Sequence, residues 1–164
     1  MTPTRPLPPH APAPTRAPDR CRSKTLAAWL ALLLGALGAH RVYLHGWRDP
    51  WAWLYPLPTL AGLVGVLRMR ELGQDDRLAW VLVPLLGVTV SVAMLTGIVY
   101  ALTPDEKWDA RHNPGQPITP TGWGPVLAAI AGLMVGGAVL MGTIAFSGQK
   151  FFEWQLAVTP AARP

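Results

Sequence analysis

Charge is what this sequence has least of. Asp, Glu, Lys and Arg make up 14% of its 164 residues, against roughly 25% in an ordinary soluble domain. A soluble globule of this size needs a charged shell, and here whole stretches carry no charge at all. Cysteine is scarcer still: the single Cys21 excludes an intrachain disulfide and a cysteine-rich metal centre. No nucleophile–base constellation is visible. The glycines from Gly132 to Gly137 lack the Lys-Ser/Thr pair that completes a phosphate-binding loop. The two longest apolar runs contain no ionisable residue, which argues against an ion-coupled carrier. The net charge of +5 is spread over tails and loops, with no basic face and no recognition motif, so nucleic acid is not an expected partner.

What fills the sequence instead is apolar residues (51%), with 16 Gly, 18 Pro and 8 Trp. Membrane helices tolerate Gly and Pro because neighbouring helices re-satisfy freed backbone groups, and Trp collects at the lipid–water boundary. Residues 1–24 hold seven prolines and little apolar bulk; they predict a disordered, solvated tail. Leu26–Ala39 is an uncharged run of 14 residues, short of the roughly 20 needed to span a bilayer. It extends through Val42, Tyr43 and Leu44 if Arg41 snorkels to the interface. Tyr43, Trp47, Trp51, Trp53 and Tyr55 then form an aromatic belt. A second run, Trp51–Leu67, is interrupted by Pro56 and Pro58. Leu78–Leu102 and Trp123–Phe146 are long enough to span without help.

The expected fold is therefore an all-α polytopic membrane protein with four transmembrane helices. Its parts are a Pro-rich tail (1–24), a two-helix hairpin (25–67), a third helix (78–102), an external loop (103–121), a fourth helix (122–147) and a C-terminal tail (148–164). Counting Lys and Arg under this arrangement gives ten on the side of both termini and four opposite. That bias predicts both termini in the cytoplasm. Small residues at four-residue steps mark the expected packing faces: Ala27, Ala31, Gly35 and Ala39; Ala61 and Gly65; Ala93, Gly97 and Ala101; Ala128, Gly132 and Gly136.

The stretch from Ser23 to Leu30, followed by Leu33 to Leu44 and ending in GAHRVYLHG, resembles the TM2 domain family. That family is a two-helix membrane hairpin with a Gly-x-His-Arg-Phe-Tyr-Leu-Gly motif. Val42 stands where the family has Phe, and His45 is inserted before Gly46. The resemblance covers about residues 23–67 and implies a bacterial inner-membrane protein. It brings no enzymatic activity and no cofactor. The candidate site residues are those of the motif: Gly38, His40, Arg41, Tyr43, Leu44 and Gly46. They are expected to act as interface anchors, to contact lipid headgroups, or to meet a membrane-protein partner or a second copy of the chain. A metal site built from His40, His45 and His112 with Asp105, Glu106 and Asp109 is the sharpest rival, but no helical spacing brings these residues together. A small oligomeric transporter or pore is the alternative function.

Overall fold

Ser23 opens the fold in an extended conformation, and its hydroxyl accepts the N–H of Leu26 at 3.4 Å to cap α1, Lys24–Leu34. The computed structural model describes residues 21–118 and 120–158, and every regular element among them is helical. At 11 residues, α1 is only about 16 Å long. A 3-10 turn, Gly35–Leu37, ends it, and Gly38 takes the left-handed conformation (φ 79°) with its N–H on the Gly35 carbonyl at 2.9 Å. Glycine is required there twice over. A β-carbon would carry the left-handed penalty, and it would lie 2.6 Å from the Ala52 carbonyl oxygen.

The chain then reverses. Helix α2, Ala39–His45, runs back beside α1, so that the Tyr43 hydroxyl accepts the N–H of Ser23 at 3.0 Å. Leu44 packs with Ala27 and Trp108. A short α3, Pro50–Leu54, and α4, Pro56–Leu72, follow; they meet at Tyr55, where Pro56 has no N–H to continue the ladder. Helix α5, Arg77–Leu102, carries Pro84 within it, α6 is Asp105–His112, and α7 is Gly124–Val158 with 35 residues.

Helix α5 is the hub, packed on α1, α4 and α7. Small residues set these contacts, since apolar side chains gain little by leaving lipid for one another. Gly62 and Gly65 admit Leu86 and Leu82, Gly97 lies against the Ala28 carbonyl, Gly132 and Gly136 face Ile98 and Met94, and Gly87 receives Thr143. Ala27, Ala31 and Gly35, then Ala93, Gly97 and Ala101, then Ala128, Gly132 and Gly136 are buried, as the sequence spacing predicts. In α4 the close face is Gly62 and Gly65, with Ala61 only half-buried, and Ala39 is likewise half-buried.

Three segments are long and apolar enough to cross a membrane: Pro50–Leu72, Arg77–Leu102 and Gly124–Val158. The stretch Lys24–Leu37 is too short. This differs from the four consecutive spans expected, and the cause is the reversal at Gly35–Gly38, which prevents Leu26–Leu44 from forming one helix. A second difference follows. The Lys24 ammonium bonds both the Thr103 carbonyl, at 3.0 Å, and the Asp105 carboxylate. The start of α1 therefore lies at the same end of the bundle as the 103–121 connection, not opposite it. Lys150, over the Trp80 ring at 5.1 Å, marks the other end. The connection contains α6, and α7 takes in residues 148–158 of the expected C-terminal tail. Of the expected Pro-rich tail, 1–24, residues 1–20 lie outside the described residues, while Ser23 caps α1 and Lys24 already belongs to it.

Candidate functional site

The motif residues scatter their side chains in three directions. Gly38 supplies the reversal. His40 points into the bundle, 1% exposed, between Tyr55 (ring centroids 5.4 Å apart, edge-on) and Tyr100 (6.0 Å). Its Nδ1 is buried and makes no hydrogen bond to any described residue. Leu44 is buried in the hairpin seam, while Tyr43 ties α2 to the start of α1. Arg41 faces outward and donates Nε to Asp49 Oδ2 at 2.9 Å. Gly46 (φ 85°) ends α2, with its N–H on the Val42 carbonyl at 2.8 Å and open space where a β-carbon would be.

A polar latch surrounds the open end of this hairpin. Asp105 accepts from Lys24 and from both the N–H (3.0 Å) and hydroxyl (2.7 Å) of Thr121. The Lys24 bond first, and then the Thr121 N–H, hold the Asp105 carboxyl down at about 2. Trp108 Nε1 donates to the Arg22 carbonyl at 2.8 Å, and Asn113 accepts the Arg22 N–H at 2.7 Å. A cavity of about 720 Å³ opens beside the latch, walled by Arg22, Tyr43, Trp47, His112 and Asn113. Burial, together with the charges of Arg111, Arg22 and His45, lowers the His112 imidazole despite the Trp108 carbonyl at its Nδ1. The sequence offers Asp105 as a possible metal ligand, but not its pairing with Lys24 or that of Arg22 with Trp108 and Asn113, because nothing local pairs positions 79 to 91 residues apart.

The metal alternative finds no constellation. His40 is inside the bundle, His45 lies 3.9 Å from Asp49, and His112 stacks on Trp108 at 4.1 Å. No group of three or more His, Cys, Asp or Glu side chains converges among the described residues.

A second signal was present in the sequence. Arg41, Gly46, Asp49, Ala52 and Trp53 recur 27 positions later as Arg68, Gly73, Asp76, Ala79 and Trp80. The two sets build one structure. Each glycine closes a helix with positive φ (85° and 87°), and each aspartate caps the next helix by accepting the N–H two residues on (Trp51 at 3.0 Å, Leu78 at 3.4 Å). Each arginine donates Nε to that aspartate (2.9 and 2.8 Å), each alanine is buried, and each tryptophan donates Nε1 to the carbonyl six residues back (3.0 and 2.7 Å). Helix α4 runs between the two turns, so they lie at opposite ends of the bundle.

The copies differ in one respect. Arg68 spends both Nε and Nη2 on Asp76, the latter at 3.1 Å. Arg41 spends only Nε, and its two terminal nitrogens make no hydrogen bond to any described residue. Burial raises the Asp49 carboxyl, but the bonds from Arg41 and Trp51 N–H and the nearby charges bring it below its usual value. At Asp76 the Arg68 bond is the main cause of the same lowering. No protein-family model matches the chain, and no curated protein or solved structure matches it either.

Proposed function

We propose that this chain is an integral membrane protein of the TM2-like kind, with a structural and lipid-contacting role and no catalytic one. It crosses the bilayer three times, through α3–α4, α5 and α7. The hairpin α1–α2 is re-entrant: it enters from the Lys24 face, turns at Gly38 and returns to the same face. The observation that carries this reading is the Lys24 contact with Asp105 and Thr103, which joins the start of α1 to the α5–α7 connection. A length of about 16 Å for α1 is half the roughly 30 Å of a hydrocarbon core. Non-helical backbone is tolerated at such depth where protein buries it, and Ala28, Ala31 and Gly35 are buried against neighbouring helices.

In this frame Arg22, Lys24, Arg41, Arg48, Lys107 and Arg111 share one face, and Arg68, Arg70, Arg77 and Lys150 the other. The bias, with the membrane taken as a bacterial inner membrane, favours a cytoplasmic Lys24 face and the end of α7 outside. A membrane-protein partner or a second copy of the chain would dock within the bilayer, where α7 leaves Gly137 and Gly142 uncovered. Reporter fusions at the two termini test the frame. Opposite sides are expected; both termini in the cytoplasm would restore four spans and remove the re-entrant hairpin. The second reading, an oligomeric pore or transporter, draws on the unpartnered Nδ1 of His40 near the hairpin tip. Solute flux in vesicles that His40→Ala abolishes would favour it.

A further inference from the structure

Arg41 stands at the head of a groove on the outer surface of the bundle, about 510 Å³ in volume, between α3–α4 and α5. Its wall passes from polar to apolar along its length. Arg41, Trp51 and Tyr55 are at the head, and Pro58, Leu85 and Val88 are among the residues that line the rest. Trp51 is exposed, as are Leu54, Leu85 and Val88 along the groove, so the chain itself does not close it. The repeated turn makes the point sharper. Arg68 uses two of its nitrogens on its own aspartate, whereas Arg41, with the same aspartate at the same spacing, keeps both terminal nitrogens for something else.

We propose that this groove is a phospholipid site: the lipid phosphate is held by the terminal nitrogens of Arg41, and one acyl chain lies along Pro58, Leu85 and Val88. The chemistry selects this occupant. A guanidinium whose end-on pair of terminal nitrogens is free matches the paired oxygens of a phosphodiester. Trp51 sits at headgroup level, where indole is favoured. Below it the groove offers an aliphatic wall, which suits a hydrocarbon chain and cannot satisfy a polar solute. The source is the surrounding bilayer, and the inference rests on the membrane frame proposed above. Asp49 fixes the guanidinium from one side through Nε and caps α3 with its other oxygen, so the donor edges are held in place before lipid arrives.

Native mass spectrometry of the full chain in detergent, with phosphatidylglycerol and diacylglycerol of matched chains as probes, reads the site. The wild type should retain phosphatidylglycerol about tenfold more strongly than diacylglycerol. Arg41→Gln should bring the two to the same level, and Arg68→Gln should leave the preference intact. Leu85→Trp fills the groove floor without touching Arg41 or Asp49, and should weaken both probes. Ile144→Trp, an exposed position away from the groove, should weaken neither. Equal retention of the two probes by the wild type, or unchanged retention in Leu85→Trp, overturns the site. Failure of the chain to remain in carbonate-washed membranes overturns the membrane frame instead, which keeps the two failures apart.

Discussion

At one end of α4 the Arg41–Asp49 turn is followed by Ala52, whose carbonyl lies against Gly38 of the hairpin. At the other end the Arg68–Asp76 turn has residues 71–75 exposed, and Gly73, like Gly46, has open space where a β-carbon would be. The same five residue types at the same spacing build both. What differs is the work left for the arginine. At Asp76 the guanidinium closes on its own cap through two nitrogens. At Asp49 it closes by one bond and faces outward with the rest. A local motif thus fixes the geometry of a turn, while its surroundings decide which donors remain for another molecule.

Substitutions can break this comparison at several strengths, each measured as reversible unfolding in detergent. The largest effect should come from Gly38→Ala, which combines a left-handed backbone with a clash against the Ala52 carbonyl; about 3 kcal/mol is expected. Gly46→Ala and Gly73→Ala meet no neighbour and carry only the penalty of positive φ with extended ψ (176° and −176°), about 2 kcal/mol each, so equal losses at all three glycines would refute the role given to crowding.

Next is Asp105→Asn, which leaves the 7% exposed Lys24 without its counter-charge and should cost about 2 kcal/mol. Asp105 is depressed from 3.8 to about 2 in the fold. Its contribution is therefore complete above pH 3.8 and lost as the pH falls toward 2. Wild type should lose stability across that window, and Asp105→Asn should lose less. The caps come third. Asp49→Ala and Asp76→Ala remove the same interaction and should cost about 1 kcal/mol each; a large inequality would show that the hairpin leans on Asp49. Arg68→Lys is smallest, about 0.5 kcal/mol, because the pair is solvent-accessible and loses only its forked geometry.

The helices α5 and α7 were legible because length and apolarity suffice to identify them, and their small-residue faces were legible because a four-residue step is a property of any helix. The hairpin was not. Leu26–Leu44 reads as one apolar stretch, and the reversal depends on Gly38 adopting positive φ against Ala52, a contact that only the folded chain reveals. The two aromatic neighbours of His40 come from α4's entry and from α5, sixty residues on in one case. Of the motif residues, Arg41 is legible as an interface anchor, but its pairing with Asp49, eight positions on, is set by the fold of the turn. The 27-residue recurrence is readable in full, since all five matching residues are plain in the sequence, although the second copy straddles what looks like an ordinary loop.

The latch between Lys24 and Asp105 joins positions 81 apart. A ribosome adding 5–20 residues per second needs roughly 4–16 s to make that distance. Helix α1 is therefore made well before the partners that hold it. Until α5 and α6 are made, Lys24 has no carboxylate and α1 no wall of small residues to lie against. The synthesis of Asp105 and Thr121 thus sets the earliest moment at which the hairpin can settle.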